Sequence, residues 1–142
     1  MDDKLRMQIT EMIDKAEDVD YSIQLPETEY DVMCAVWNGE IPITTGYLMQ
    51  VLGHARGWKT PTLISFLQRL EGRGFLASVK NGRERYYFPL ADAKKYKEAV
   101  TRRFLEKYHN NSFLDLMDAL FPSRTMSDAD IDALLAWLRS GV

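Results

Sequence analysis

Residues 60–73 divide into a polar and an apolar helix face. The apolar residues recur at i, i+3, i+4 and i+7, namely Leu63, Phe66, Leu67 and Leu70. At about 100° per residue, the opposite face holds Thr62, Ser65, Gln68 and Arg69. In DNA complexes Arg contacts guanine edges, Gln contacts adenine edges, and Thr or Ser contacts thymine methyl groups or phosphates. This face therefore suits a major groove, although an ordinary solvated helix face can have the same composition.

A group of cations follows in a segment with the pattern of a β-hairpin. Residues 75–80 and 83–88 are strand-like, and Asn81-Gly82 between them tolerates the positive φ angles of a tight type I′ turn. The cations at or near the predicted tip are Lys80, Arg83 and Arg85. Because like charges repel one another there, neutralisation by phosphates explains their position.

The net charge of −3 conceals an uneven distribution along the chain. Residues 54–107 hold 13 Lys and Arg against 5 Asp and Glu, a net of +8, whereas residues 1–53 have −8 and residues 108–142 have −3. A phosphate responds to charges within about 8–10 Å, so the basic block matters more than the total. The predicted DNA-contacting residues are Lys59, Thr60, Thr62, Ser65, Gln68, Arg69, Arg73, Lys80, Arg83 and Arg85.

Two helices are predicted before the polar-faced helix. The first begins around Leu25–Glu29, where Pro and acidic residues favour a first turn, and ends at Asn38-Gly39. Its predicted buried stripe consists of Tyr30, Met33, Cys34 and Trp37, with Cys34 acting as a small hydrophobe. The second runs from about Thr45 to Leu52 and ends at Gly53, and its inward side chains are Leu48, Val51 and Leu52. The polar-faced helix then begins at Thr60-Pro61, with Thr60 as its cap.

The order of helix, helix, polar-faced helix and basic hairpin predicts a winged helix-turn-helix DNA-binding domain. The predicted fold is thus mainly α with a small β-hairpin wing. We expect this domain over residues 23–91, after an N-terminal helical extension over residues 1–22. The apolar positions of the extension are Leu5, Ile9, Met12 and Ala16. Residues 92–142 then form a helical dimerisation region.

The segment Leu25–Trp37 resembles the opening helix of the penicillinase repressor (BlaI/MecI/CopY) family. Trp58–Leu63, with Arg69-Leu70 and Gly74-Phe75, is similar to the recognition helix of that family. Gly82-Arg83 and Tyr87–Leu90 are similar to its wing, and the resemblance extends over about residues 25–140.

The resemblance implies a repressor that dimerises through its C-terminal helices. It implies binding to pseudo-palindromic operators of the TACA/TGTA type near antibiotic-resistance genes. It also implies a membrane-bound metalloprotease partner that senses β-lactams and triggers cleavage of the repressor, which ends dimerisation. The corresponding stretch here is Leu116–Phe121. The copper-responsive branch uses a C-terminal cysteine pair, and this sequence has no cysteine after Cys34.

The C-terminal residues form more apolar surface than short helices can bury by themselves. Helices are expected from Asp92 to about Asn110, from Ser112 to Phe121, and after Ser127. The predicted dimerisation residues are Phe104, Tyr108, Phe113, Leu116, Met117, Leu120, Phe121, Ile131, Leu134, Leu135 and Leu138. Two interleaved copies would bury them and hold two recognition helices about one DNA turn, ~34 Å, or a small multiple apart. The alternative is a helical subdomain that folds back on its own winged helix.

Other classes of function have little support in the sequence. No Gly-rich phosphate loop, no paired metal-ligand spacing and no nucleophile with a base nearby in sequence is present, so no enzyme, metal or cofactor is predicted. The sequence begins without the order of a signal peptide, and its longest uncharged run, Ile41–Ala55, contains polar residues and Pro, so a cytoplasmic protein is expected. A winged helix that binds only proteins is the alternative function.

Overall fold

The computed structural model describes residues 2–123 and 126–141. Its elements are α1 (Asp3–Lys15), α2 (Glu27–Asn38), α3 (Thr45–Leu48), α4 (Thr60–Gly72), β1 (Leu76–Asn81), β2 (Glu84–Pro89), α5 (Ala93–His109), α6 (Phe113–Leu120) and α7 (Asp128–Ser140). The helices and the antiparallel hairpin confirm the mainly α fold with a β-hairpin wing. In the described part of the chain, no helix is both long and apolar enough to span a bilayer.

The chain divides into two compact units that meet between Ala99 and Val100. The first unit contains the predicted extension, the winged helix and the start of α5, whereas the predicted boundaries lie after residues 22 and 91. Its core includes Leu63, Leu67 and Leu70 of α4, none of which has measurable exposure. These three side chains explain why α4 has one entirely apolar side.

Helix α2 is rotated by about one residue relative to the predicted stripe. Its buried positions are Glu29, Val32, Met33 and Val36. The prediction that Tyr30, Cys34 and Trp37 are buried was therefore wrong: Tyr30 is 38% exposed, and the other two are half-buried. The β-branched valines fill the core, while Tyr30 and Trp37 join a group of rings around Tyr96, with centroids 5.7 and 6.1 Å from it.

Helix α3 continues directly into a π-helical turn over Met49–Gly53. The backbone N–H of His54 donates to the carbonyl of Met49 at 2.8 Å, closing an i to i+5 bond. This wider turn shifts the inward positions, so Met49 and Gly53 are buried while Val51 is 47% exposed. The inward direction predicted for Val51 was wrong because it assumed an α-helical period.

The wing pairs one residue further along than predicted. Asn81 pairs with Glu84 and Lys80 with Arg85, so the turn residues are Gly82-Arg83 instead of Asn81-Gly82. Gly82 has φ +68°, whereas Arg83 is not among the residues with positive φ, as in a type II′ turn instead of type I′. At the base of the wing, Ile43 and Tyr87 exchange backbone hydrogen bonds of 2.9 and 2.7 Å.

The hairpin is covered on one face by α1. Leu5 and Ile9 of α1 pack with Phe88, and Ala77, Val79, Tyr86 and Leu90 surround this cluster. Met12, which shares the predicted apolar face of α1, is instead 37% exposed. The N-terminal extension is therefore packed against the wing.

The second unit has a different character. Ser112 and Ser127 cap α6 and α7 as predicted, each accepting a backbone hydrogen bond of 3.1 Å. No residue of α6 or α7 is buried. Their apolar side chains are therefore largely in contact with solvent in a single chain.

Candidate nucleic-acid interface

Helix α4 presents three distinct sides. Leu63, Leu67 and Leu70 enter the core, and a second row, Ile64, Gln68 and Glu71, lines a cleft beside the wing. The remaining row contains Thr62, Ser65 and Arg69, of which Thr62 and Arg69 are exposed and Ser65 is half-buried. The predicted polar face is therefore split, because Gln68 belongs to the cleft row.

Aromatic rings support the outer row. The guanidinium carbon of Arg69 lies 5.7 Å from the ring centroid of Phe66, and Phe66 packs against Trp58 with centroids 5.0 Å apart. A cation held over a ring loses less side-chain freedom when it binds a partner. Arg69 is thus an exposed cation with a preferred position on the outer side of α4.

Lys59 and Thr60 lie exposed at the start of α4. Lys59 is the N-cap residue and Thr60 is the first helical residue, so the predicted cap at Thr60 was one position late. The Lys59 side chain makes no capping hydrogen bond. Pro61 has no N–H, and the N–H groups of Thr62 and Leu63 donate to the Lys59 carbonyl at 3.0 and 3.3 Å. The attraction for an anion at this helix start therefore comes from the positive end of the helix dipole and from the Lys59 ammonium group.

The space between α4 and the wing is an open cleft of about 710 Å³. It is lined by Thr45, Ile64, Gln68, Glu71, Arg83, Glu84, Arg85 and Tyr87. The structure thereby brings together Gln68, Arg83 and Arg85 from the predicted set. Two polar side chains of α4, Gln68 and Glu71, consequently line the same space as two cations and one carboxylate of the wing.

A chain of hydrogen bonds links the wing to α4 across this cleft. Arg85 Nη1 donates to Ser78 Oγ at 3.0 Å, and Ser78 Oγ donates to Glu71 Oε1 at 3.0 Å. Burial raises the pKa of Tyr87 above its ordinary value of 10.0, Glu71 raises it further, and Arg85 lowers it. Glu71 therefore orients the wing side chains, and together with Glu84 it balances the charges of Arg83 and Arg85 in the cleft.

Two of the predicted cations occupy other surroundings. Lys80 borders a smaller recess of about 130 Å³ with Asn81, Gly82 and residues of the first turns of α1. Arg73 Nε donates to Glu29 Oε1 at 2.8 Å, and the Glu29 side chain is only 4% exposed. Arg73 is thus engaged in holding the end of α4 against α2, and a contact with DNA would compete with that bond.

The cleft residues that were not predicted from the sequence are Thr45, Ile64, Glu71, Glu84 and Tyr87. A signal was available for two of them, because Ile64, Gln68 and Glu71 have the spacing i, i+4 and i+7 of one helix side. Thr45 comes from α3 and gave no signal of its own. It becomes adjacent to α4 only through the tertiary packing of the first unit.

Comparisons of the sequence with known proteins agree on one family. The sequence profile of the penicillinase repressor family matches residues 25–140. The penicillinase repressor of Bacillus licheniformis is 26% identical over 111 residues, covering 78% of this chain and 86% of that protein. The methicillin resistance regulatory protein MecI of Mammaliicoccus sciuri is 20% identical over 111 residues, covering 78% and 89%. The solution structure of monomeric Bacillus licheniformis BlaI with the blaP half-operator is 30% identical, covers 52% of this chain and 89% of that chain, and has a TM-score of 0.45.

Proposed function

The chain belongs to the penicillinase repressor family, and from that premise we propose that it represses transcription as a homodimer that binds a pseudo-palindromic operator. It is a DNA-binding repressor of the penicillinase-repressor type. The supporting observation is the exposed side of α4, with Thr62 and Arg69, together with the exposed cations Lys80, Arg83 and Arg85 of the neighbouring wing. Binding to a DNA operator would place its site of action in the cytoplasm.

Helix α4 is proposed to enter the major groove with its outer row facing the bases. Arg69 would contact a guanine edge, and Thr62 and Ser65 would contact thymine methyl groups or the backbone. Gln68 lies beside the cleft, where it can reach an adenine edge at the side of the groove. Lys59 and Thr60 at the start of α4 would hold a phosphate.

The wing is proposed to lie along the backbone of the same duplex. Lys80, Arg83 and Arg85 are exposed, and neither Lys80 nor Arg83 has an acidic partner within ion-pair distance among the residues described. Such cations bind phosphates without sequence preference and release counterions. The wing would therefore contribute affinity, while α4 would contribute sequence preference.

The second unit is proposed to form the dimer interface. Its predicted contact residues include Phe113, Leu120 and Leu138, which are 53%, 59% and 45% exposed. Exposed side chains of this size on amphipathic helices are typical of surfaces that a second chain covers. A symmetric pair would present two α4 helices to two half-sites of one operator.

A membrane metalloprotease sensor and cleavage within Leu116–Phe121 remain part of the proposal. This stretch lies at the end of α6, where Leu120 is exposed and Phe121 ends the helix. A cut there would separate α7 from the winged helix and remove part of the proposed interface. Such a cut would weaken operator binding by removing the second half-site contact.

Salt-dependent DNA binding tests this function. If each subunit neutralises about 4 phosphates, log K should fall with log salt at a slope near −7. Arg69→Ala should relax base preference, whereas Arg83→Ala should weaken all duplexes similarly and reduce the slope by about 1 per subunit. Lys15→Ala, which removes an exposed cation from the end of α1, is the control and should change neither quantity.

The outcomes separate DNA binding from the alternative of a protein-binding winged helix. Absence of binding to any duplex, or binding that does not vary with salt, would favour the protein-binding alternative. A relaxed base preference in Arg83→Ala, with a uniform loss in Arg69→Ala, would exchange the roles assigned to the wing and α4.

A further inference from the structure

Helix α1 lies outside the region matched by the family profile, which begins at residue 25. None of the residues assigned to DNA contact belongs to it. Yet α1 packs against the wing, whose cations the proposed function requires. The role of α1 is therefore a separate question from the function of the family.

The wing has two faces of different chemistry. Arg85 and Tyr87 line the cleft, and Ser78, which pairs with Tyr87 and donates to Glu71, lies on the same side of the wing. The intervening residues, Ala77, Val79, Tyr86 and Phe88, form the other face. This second face is apolar over most of its length, so it requires a cover in water.

The cover consists of two side chains of α1. Leu5 and Ile9 are 4% and 5% exposed, and they enclose Phe88, which has no measurable exposure. Met7, on another side of the same helix, is 64% exposed. The helix thus contributes one narrow apolar side to the wing.

The start of α1 also reaches the tip of the wing. Asp2, Lys4, Leu5 and Gln8 line the recess of about 130 Å³ that also contains Lys80, Asn81 and Gly82. Asp2 caps the helix by accepting the backbone N–H of Leu5 at 2.7 Å, which fixes this first turn. Contact between α1 and the wing therefore extends from the buried Phe88 region to the tip.

We propose that α1 is a brace that holds the wing in its DNA-binding position, with Leu5 and Ile9 as positioning residues. This inference rests on the proposed function. A two-stranded hairpin alone is marginally stable in water, and its base is tied to the rest of the first unit at Ile43 and Tyr87. Docked α1 reduces the freedom of the tip before DNA arrives, so less ordering is required on binding.

Removal of the brace should reduce the part of DNA binding that depends on the wing. The probe is a mixed-sequence duplex of about 30 base pairs, roughly three helical turns, titrated at several salt concentrations. In the full chain, Leu5→Ala combined with Ile9→Ala should weaken binding about 5- to 30-fold and bring the salt slope closer to zero by about 1–2 per subunit. Met7→Ala, a change at an exposed site of the same helix, should bind DNA like the unaltered protein. Leu5→Met keeps a large apolar side chain, so it should bind DNA more tightly than Leu5→Ala and nearly as well as the unaltered protein.

Combination with a wing substitution tests whether α1 acts through the wing. In the unaltered background, Arg83→Ala should weaken binding about fivefold, as expected for one phosphate contact at ordinary salt. In the background lacking Leu5 and Ile9 side chains, the same substitution should have little further effect, because the wing is already displaced. Full additivity would overturn the proposal, and so would tighter binding by the α1 variant, which would make this partly acidic helix an inhibitor.

Amide hydrogen exchange separates loss of the brace from general unfolding. The variant should lose protection in β1 and β2 while α4 stays protected. Equal loss in α4 would overturn the proposal, because α1 would then support the core and not the wing specifically. Failure of the unaltered protein to bind the duplex would reject the proposed function, whereas equal binding by the unaltered protein and the α1 variant would reject the brace alone.

Discussion

The two compact units bury their apolar side chains to very different extents. In the first unit, large residues such as Phe75, Phe88 and Leu67 have no measurable exposure. In the second, no residue of α6 or α7 is buried, and Leu114 is 71% exposed. The first unit therefore has a core of its own, whereas the second has helices whose apolar sides need a further surface.

This contrast explains how one chain can combine a rigid DNA-binding surface with assembly. A winged helix must hold its groove-contacting side chains in fixed positions, so it requires a closed core. A dimerisation region must keep its contact surface open until a partner arrives. Substitutions in either unit test this contrast.

Truncation of a core leucine should destabilise the first unit strongly. Leu67→Ala removes a fully enclosed side chain from α4, so the free energy of unfolding should fall by about 2–5 kcal/mol. Leu138→Ala removes the same atoms from a side chain that is 45% exposed, and it should cost less than about 1 kcal/mol in dilute monomer. Chemical denaturation of both variants provides the measurement, and equal losses would contradict the contrast between the units.

A charge on the apolar side of α7 should weaken the proposed dimer. Leu135→Glu places a carboxylate among the predicted contact residues, and the dimer dissociation constant should rise about 30-fold or more, or about 2 kcal/mol. Ala133→Glu adds the same charge on the opposite side of α7 and serves as the matched control. Sedimentation equilibrium measures both, and a dimer that tolerates Leu135→Glu as well as the control would place the interface elsewhere.

Most of the winged helix could be predicted because its local signals agree with one another. Three local signals agree with one order of elements. They are the helical spacing of Leu63, Leu67 and Leu70, the proline near the start of α4, and the glycine of the hairpin turn, Gly82. The errors were of one residue: the α2 stripe and the hairpin register both shifted. Local sequence defines the position of a helix face or a strand pairing to within about one residue. Tertiary packing then selects which face is buried and which residues pair.

Other features depended on contacts between distant residues. The burial of Met49 and Gly53 could not be predicted, because the α-helical period that was assumed for this segment does not hold in the wider π-helical turn after α3. Packing of α1 on the wing brings Leu5 into contact with Phe88, which lies far away in the sequence. The amphipathic pattern of α1 shows that one side is apolar but does not identify the surface that this side contacts. The engagement of Arg73 was likewise hidden, since Glu29 belongs to another helix.

Two ion pairs of α2 test how burial affects the contribution of a salt bridge to the stability of the first unit, and the expected effects are smaller. Glu29→Gln leaves Arg73 facing a buried neutral group, and the free energy of unfolding should fall by about 1–2 kcal/mol. Asp31→Asn interrupts the pair between Asp31 and Arg56, which are 27% and 45% exposed, and it should cost less than about 0.5 kcal/mol. Thermal unfolding of both variants makes the comparison, and a larger loss from Asp31→Asn would mean that exposure does not determine the strength of these pairs.

The smallest expected effect concerns Tyr87 in the cleft beside α4. Its pKa is raised above 10.0, first by burial and then by Glu71, so the folded protein holds the phenol proton more tightly than the unfolded chain. This contribution to stability is complete below pH 10 and is lost as the pH rises through the folded-state pKa. Phenylalanine at position 87 cannot ionise, so the stability of Tyr87→Phe should fall less than that of the unaltered protein as the pH rises above 10.0. Denaturant midpoints measured across this range test the effect, and parallel losses would show that the closed core of the first unit does not oppose ionisation at this position.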